Sequence, residues 1–408
     1  MFVGCLLLVL PFAAFIVVRS RRLRLSTARS FSPHTVAAGS TASVALDAQN
    51  LASTWTIRAR WRDMLPWPPG ETIERDLRPI PPRLSRSSRS NFRRLEYDVR
   101  PPVRGVFEIG PLALEYGDPF GLVTGSVQTG DAEQLVVVPD AVTLPESGLS
   151  IAAGDGSARL IQRRATGNDD DLMTREYRIG DALRRVHWRA SARHGELMVR
   201  QEEQRTYPEA RLILDTRREG YEDVAHDQLE HEPESHSFEW AVRMIASLGV
   251  HLHRSGFLVH SVETGPKQIG EFGDANQWTG RDQDFLVSLA SIRLTDPDDG
   301  ALPGNDESGE AAKGPVFAVL GAPEVDTVKW LARQRRPYEL AVAFVLGAQD
   351  TPAIDFIEQA FGVEPSLAPA TEFLRSAGWI VVKVQLDDSP AAAWLSVVEE
   401  TGVFHVAH

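Results

Sequence analysis

The sequence contains a single cysteine, Cys5, and no lysine at all among residues 1–205. One thiol in an apolar N-terminal run excludes a disulfide framework and a thiol-rich metal site within the chain. The common hydrolase signatures are missing as well, because the sequence has no G-x-S-x-G, no H-E-x-x-H and no candidate catalytic cysteine. These absences weigh against an enzyme that works through a nucleophile of a familiar kind.

The charged residues are divided unevenly between the two halves of the chain. The formal net charge is −13 over 408 residues, but residues 1–205 carry 28 arginines against 23 acids, and residues 206–408 carry 15 basic residues against 33 acids. The halves therefore differ by sign, near +5 and −18. Either the first half has a basic face for a membrane or an anionic partner, or arginine-rich usage accounts for part of the pattern. Both interpretations stay open.

The N-terminal residues 1–20 form an apolar segment. Phe2 to Val18 is an uncharged run interrupted only by Gly4 and Pro11, and at 1.5 Å per residue it spans roughly 25 Å, the short limit for a bilayer. Arginines follow at once, which places that flank in the cytoplasm. We expect a transmembrane helix in a single-pass cell-membrane protein with cytoplasmic domains, and an upstream second span would fit the missing basic leader.

Two folded regions follow this segment. Residues 23–140 show short alternating runs bounded by proline and glycine, which predicts an antiparallel β-sandwich. Residues 207–408 alternate uniformly apolar runs with helical periodicity, which predicts an α/β domain with a doubly wound, mainly parallel sheet. The length of the chain supports two such cores. Residues 141–206 are the predicted connecting segment.

An arginine-rich motif lies in this connecting segment. Between Leu172 and Glu202 the chain has seven arginines, two histidines, a tryptophan, a tyrosine and a Gly-Asp turn, without the periodicity of a core element. The residues that define the motif are Arg175, Tyr177, Gly180, Asp181, Arg184, Arg185, His187, Trp188, Ser191 and Arg193. In order and spacing this motif resembles the bacterial family called domain of unknown function 58.

The resemblance carries further expectations. It implies a von Willebrand factor A-like fold for the C-terminal domain and a partnership with a MoxR-type AAA+ ATPase and a transglutaminase-like membrane protein. A second run, Arg104 to Leu122, also resembles the family. Its Gly-Pro and Asp-Pro pairs indicate turns, and we expect Phe120 to pack onto the sandwich as a lid.

The central motif permits three interpretations. Its arginines could clamp phosphate groups, since guanidinium binds them in a planar, bidentate way. Asp181 and His187 could form an acid-base pair of a hydrolase. The segment could instead be a structural strap, with Trp188 and Tyr177 packed between the domains. We favour the third.

Asp215 ends the first strand of the predicted α/β domain, where open sheets bind ligands. In von Willebrand A domains this position begins an Asp-x-Ser-x-Ser metal motif, but Arg217 and Glu219 replace the serines here. A guanidinium would repel a divalent cation. We expect no cofactor, and a Mg²⁺ ion only at a degenerate site with Asp215.

Together these features predict a membrane-anchored, cytosol-facing interaction module that works with the AAA+ ATPase in assembling or maturing an envelope or metal-dependent complex. The alternative is a metal- or phosphate-dependent hydrolase that uses Asp181, His187 and Asp215. The acidic second half argues against nucleic acid as a partner.

Overall fold

A computed structural model gives the conformation of most of the chain. It describes residues 2–20, 23–67, 74–83, 91–118, 120–146, 174–177, 186, 188–200, 208–224, 235–269, 282–296, 300, 302–304, 314–336, 338–347 and 367–406.

The chain divides into two compact units, and neither unit is one continuous stretch of sequence. The first comprises Met1–Val142, Thr216–Ser247 and Pro266–Asp299. The second comprises Thr143–Asp215, Leu248–Gly265 and Gly300–His408. Helix α3 (His236–Arg254) contributes to both.

In the part of the first unit that the structure describes, ten short strands form three sheets. The three-stranded antiparallel sheet has the order β1 (Leu25–Ser32), β3 (Ala42–Asn50), β6 (Phe92–Val99). The four-stranded antiparallel sheet has the order β5 (Arg75–Leu77), β4 (Ala59–Asp63), β8 (Leu112–Gly117), β9 (Thr124–Thr129). The third sheet has the order β2 (Thr35–Ala37), β10 (Glu133–Val138), β7 (Gly105–Ile109), with β2 and β10 parallel.

Alternation of apolar and polar residues explains these strands. In β3 the side chains of Ala42, Val44, Leu46 and Ala48 are buried, and the residues between them are more exposed. A strand turns successive side chains to opposite faces, so this pattern places one face of β3 on the core. Trp61 packs in this core with its ring edge-on to Tyr97, at a centroid distance of 5.8 Å.

A buried ion pair lies within this unit. Arg29 of β1 binds Asp63 of β4 in a bidentate way, with Nε–Oδ2 and Nη2–Oδ1 distances of 2.8 and 2.7 Å. The two side chains are 0% and 1% exposed. The guanidinium also donates to the carbonyl of Asp131, and the Tyr97 hydroxyl donates to Asp63. Burial raises the pKa of Tyr97, and the neighbouring Asp63 carboxylate raises it further.

Arg104 connects strands β1–β10 of the first unit, which we call the sandwich, to two helices of the same unit. Its Nη1 donates to carbonyl oxygens at the end of α4 (Asp282–Ala290), those of Leu289, Ala290 and Ile292, at 3.1, 3.3 and 2.8 Å. Its Nη2 lies 2.9 Å from Oε1 of Glu239 in the first turn of α3. The last carbonyls of a helix lack intrahelical donors, so the guanidinium caps α4 while neutralising a carboxylate.

The second unit is built on a five-stranded sheet in which every pair is parallel. The strand order is β14 (Leu258–Glu263), β13 (Glu209–Leu214), β15 (Val316–Leu320), β16 (Ala341–Leu346), β17 (Ile380–Val384). In chain order this is 2-1-3-4-5. All residues of β15 and β16 are buried, as expected for strands that are covered on both faces.

Helices cover this sheet. The core cluster on it includes side chains from α5 (Val325–Gln334) and α6 (Leu367–Ser376), such as Leu331 and Leu374. Helix α7 (Pro390–Val406) brings Trp394 against Phe317 of β15, at a centroid distance of 5.6 Å.

His251 of α3 is buried in this unit beside Trp394, with ring centroids 5.5 Å apart and nearly perpendicular planes. The Trp394 indole N–H donates to the carbonyl of Pro145 at 2.9 Å. The His251 Nε2 atom is buried and has no hydrogen-bond partner within the described ranges. Burial lowers the pKa of His251 and Arg254 lowers it further, while Glu146 opposes the shift.

The structure corrects the prediction for residues 1–20. Helix α1 (Phe2–Ser20) forms there, but no helix in the described part of the chain has the length and apolarity needed to cross a membrane. The run Phe2–Val18 covers roughly 25 Å of a bilayer core that is about 30 Å thick. Val18 is buried, and a Cβ on Gly125 of β9 would lie 3.1 Å from it, so the last turn packs on the sandwich. The predictions of a transmembrane helix and of a single-pass cell-membrane protein are wrong.

The predicted fold class is wrong in the same respect. The described strands form several sheets with both parallel and antiparallel pairs, and a β-rich region follows α1, so there is no clear von Willebrand factor A-like fold behind a transmembrane helix. Apolar periodicity predicts the type of an element but not the order of strands in a sheet. Phe120 is also placed differently, because it is 71% exposed instead of packing as a lid.

Candidate functional site

Two short antiparallel strands of the second unit lie at the two ends of the arginine-rich motif. Strand β11 (Thr174–Glu176) pairs antiparallel with β12 (Met198–Arg200), and the pair continues with the Tyr177 N–H, which donates to the Leu197 carbonyl at 2.8 Å. Val186 is buried and forms an isolated bridge to Val199. The backbone pairing therefore holds both ends of the motif in one small sheet.

Helix α2 (Trp188–His194) precedes β12 and is fixed to it by a serine. The backbone N–H of Met198 donates to Ser191 Oγ at 2.8 Å, and the Gly195 N–H donates to the Ser191 carbonyl at 2.9 Å. Gly195 has φ +78°, a left-handed conformation that ends helices and that glycine adopts without strain. Ser191 and Gly195 thus set the orientation of a helix that is too short to be stable alone.

The opposite side of α2 is exposed. Trp188 is 68% exposed, and Arg189, Ala192 and Arg193 are exposed with it. At 100° per residue these four positions fall within an arc of about 140°. We call this arc, Trp188 with Arg189, Ala192 and Arg193, the α2 surface. The expectation that Trp188 packs between domains is wrong, whereas Tyr177 is half-buried.

The two arginines of the α2 surface differ from several exposed arginines of the first unit. Arg58 and Arg94 are paired with Asp76 and Asp47 at 2.6 and 2.8 Å. Arg189 and Arg193 have no carboxylate partner among the residues that the structure describes. Their charge is therefore available to a binding partner.

Of the remaining predicted site residues, the structure describes Arg175, which lies in β11 opposite Val199. The residues that lie outside the described part of the chain are Gly180, Asp181, Arg184, Arg185 and His187. The pairing of Asp181 with His187 stays a prediction.

Asp215 lies at the carboxyl end of β13, between the strand ends of β14 and β15. In a sheet with the strand order 2-1-3-4-5, the second strand lies on one side of the first strand and the third lies on the other side. Ligands bind at this switch point in open α/β sheets. Asp215 is only 1% exposed; its Oδ1 accepts a hydrogen bond from the Thr264 hydroxyl at 2.6 Å. Its N–H donates to the Val319 carbonyl at 3.0 Å.

The metal prediction at Asp215 stays open. Within the described ranges there is no group of three or more His, Cys, Asp or Glu residues placed to hold a metal ion. The nearby Arg218 binds Asp296 at 2.7 Å. Thr264 was missed from the sequence, although its position directly after β14, next to β13, is the signal that could have found it.

Comparisons with solved structures give only weak likenesses. One is the CARDB domain of a Pyrococcus furiosus protein in complex with di-metal ions, 12% identical, covering 28% of this chain and 89% of that one, with a TM-score of 0.19. Another is a Paenibacillus sp. cycloisomaltooligosaccharide glucanotransferase complexed with cycloisomaltoheptaose, 10% identical, covering 88% of this chain and 53% of that one, with a TM-score of 0.18. TM-scores this low carry no information on fold or function.

No curated protein matches the chain. A family model does match, over residues 173–224, which include β11, α2, β12 and β13. In this segment the chain is similar to the family described as "Protein of unknown function DUF58".

Proposed function

We propose that this protein is a protein-interaction module that binds its partner through the α2 surface. The observation that carries the proposal is Trp188, which is 68% exposed on a helix fixed by Ser191 and Gly195. Tryptophan and arginine are the residues that most often dominate binding energy at protein interfaces. A fixed helix also loses little conformational freedom when it binds.

The energetic scale of such a contact follows from the exposed area. A tryptophan buries up to about 250 Å². Two thirds of that area at about 25 cal/mol per Å² corresponds to about 4 kcal/mol of gross stabilisation. Alanine substitution at such a position commonly costs about 2–4 kcal/mol. Trp188 alone can therefore decide whether a complex of micromolar affinity forms.

The partner we propose is a MoxR-type AAA+ ATPase, with a transglutaminase-like membrane protein as a further member of the assembly. The support is the similarity of residues 173–224 to DUF58, together with the partners that the resemblance of the motif implies. The module would serve the ATPase in assembling or maturing an envelope or metal-dependent complex.

A binding experiment with one matched control tests the proposal. Purified protein is titrated with the purified ATPase by biolayer interferometry, with and without nucleotide. We expect Trp188→Ala to weaken binding at least thirtyfold. Trp55→Ala removes a tryptophan that is 60% exposed in the sandwich unit and should leave binding unchanged. Absence of binding by the wild-type protein, or equal binding by both variants and wild type, would reject the proposal.

The second candidate is a metal- or phosphate-dependent hydrolase that uses Asp181, His187 and Asp215. The position of Asp215 at the switch point supports it, and the near-complete burial of the Asp215 side chain weighs against it. Metal analysis of the purified protein distinguishes the candidates. Stoichiometric Mg²⁺, Mn²⁺ or Zn²⁺ that is lost in Asp215→Ala would favour the hydrolase.

A further inference from the structure

The spacing of the arginines on the α2 surface defines what can bind there. Arg189 and Arg193 are four residues apart in α2, and both are exposed. Residues i and i+4 lie on one face of a helix, about 6 Å apart along its axis. Each guanidinium presents a planar fork of donors that suits a carboxylate in a bidentate way.

Trp188 adds an apolar contact next to these two cations. It lies one residue before Arg189 and is exposed like it. The indole ring has a large, rigid apolar face, and covering it with an apolar side chain stabilises a complex. A ligand that satisfies the whole α2 surface therefore needs two acids about one helical turn apart, with an apolar side chain beside them.

We propose that the α2 surface binds an acidic, amphipathic helix of the partner protein, a proposal that rests on the proposed function. Two carboxylates at positions i and i+4 of that helix pair with Arg189 and Arg193. A leucine or phenylalanine of the same helix covers Trp188. An amphipathic helix presents such a set of side chains on one side, as in other complexes in which a helix is the recognised element.

The charge of the whole chain favours this occupant over a polyanion. The net charge is −13, and residues 206–408 contribute about −18 of it. Long nucleic acids and anionic lipid surfaces feel this summed field, whereas a short peptide with two acids is governed by the local arginines. The small cationic area therefore selects a local acidic ligand.

Fluorescence anisotropy with the full chain tests the proposal. The probe is a fluorescein-labelled, 18-residue alanine-rich helical peptide with glutamates at i and i+4 and one leucine between them on the same face. The matched peptide has glutamines in place of the glutamates. We expect the glutamate peptide to bind at least tenfold more tightly in 50 mM NaCl, and the difference to shrink in 500 mM NaCl because salt screens exposed ion pairs.

Two double variants locate the effect. Arg189→Gln/Arg193→Gln should weaken binding of the glutamate peptide about tenfold and leave binding of the glutamine peptide unchanged. Arg333→Gln/Arg336→Gln removes two exposed arginines at the end of α5 in the same unit and should change neither. Circular dichroism confirms that both variants are folded, which their exposed side chains allow.

The outcomes separate this inference from the proposed function. Suppose that Trp188→Ala abolishes ATPase binding, while Arg189→Gln/Arg193→Gln binds the ATPase and the glutamate peptide as tightly as the wild type does. The acidic-helix proposal is then wrong, and the proposed function as an interaction module is retained. Tighter binding of a 20-nucleotide DNA or of phosphatidylglycerol vesicles than of the glutamate peptide would also overturn the inference.

Discussion

Replacing Asp63 with alanine should destabilise the β-sandwich by about 3–5 kcal/mol. In the wild type, Asp63 accepts two hydrogen bonds from Arg29 and one from the Tyr97 hydroxyl, and both charged side chains are fully buried. The substitution leaves the guanidinium buried in the unit without its paired carboxylate, and the backbone carbonyl of Asp131 still accepts one of its hydrogen bonds. Breaking a buried pair from one side commonly costs about 3–5 kcal/mol, because a charge stays buried without compensation.

Hydrogen exchange followed by mass spectrometry is the suitable assay. The chain has two compact units, so a single unfolding transition cannot be assumed. Exchange of amides in β3, β4 and β6 reports the free energy of opening of the sandwich alone. A loss of about 3 kcal/mol raises exchange in these strands by more than a hundredfold, while exchange in β15 and β16 of the second unit should stay the same.

Two further variants separate the cause from simple loss of contacts. Arg29→Met/Asp63→Leu removes both charges and should recover most of the lost stability, since apolar replacement of a buried pair is commonly neutral or better. Asp76→Ala breaks the exposed Arg58–Asp76 pair and should cost less than about 1 kcal/mol. If Asp63→Ala changes sandwich exchange no more than Asp76→Ala does, the reasoning is refuted.

Two more predictions concern Arg104 and His251. Arg104→Ala should cost about 3 kcal/mol, since it removes the donor to the carbonyls at the end of α4 and breaks the ion pair with Glu239. Faster exchange confined to α4 and the start of α3 would show it, and unchanged exchange would contradict it. Because burial lowers the pKa of His251, the folded state binds the proton less readily than the unfolded chain does. The folded state should therefore have its full stability above pH 6.5, the ordinary pKa of histidine, and should lose stability as the pH falls below that value. The free energy of opening of β15 and β16, measured by hydrogen exchange from pH 8 to pH 5, should decline less in His251→Phe than in the wild type. Identical declines would show that His251 is not the cause.

Local patterns predicted several elements correctly. The strand that the sequence predicts to end at Asp215 forms as β13, and β3 is one of the alternating runs predicted within residues 23–140. Both are predictable because burial on one or two faces of a strand determines the order of apolar and polar residues. No sequence pattern indicates the hydrogen bond between Arg104 and the Ile292 carbonyl, since the two residues are 188 positions apart. Contacts of this kind depend on how elements pack in three dimensions.

The α2 surface shows why the motif was only partly interpretable. A helix of seven residues has too few turns for periodicity to show which face is buried, so the sequence does not predict that Trp188 is exposed. The inward side is set instead by Ser191, through one hydrogen bond to the backbone of Met198. For α1 the error was of another kind, because apolar composition does not reveal that Val18 packs on a strand.

Arg104 also has a consequence for how the protein is synthesised. Arg104 leaves the ribosome early, whereas the carbonyls of Leu289, Ala290 and Ile292 that it binds are added 185 to 188 residues later. At about 5–20 residues per second, that interval lasts about 10–40 s. During this time the guanidinium has to remain hydrated, so the first unit cannot close before translation has passed Ile292. A nascent chain arrested upstream of this point should therefore carry an unfinished first unit that offers the cell's chaperones a substrate.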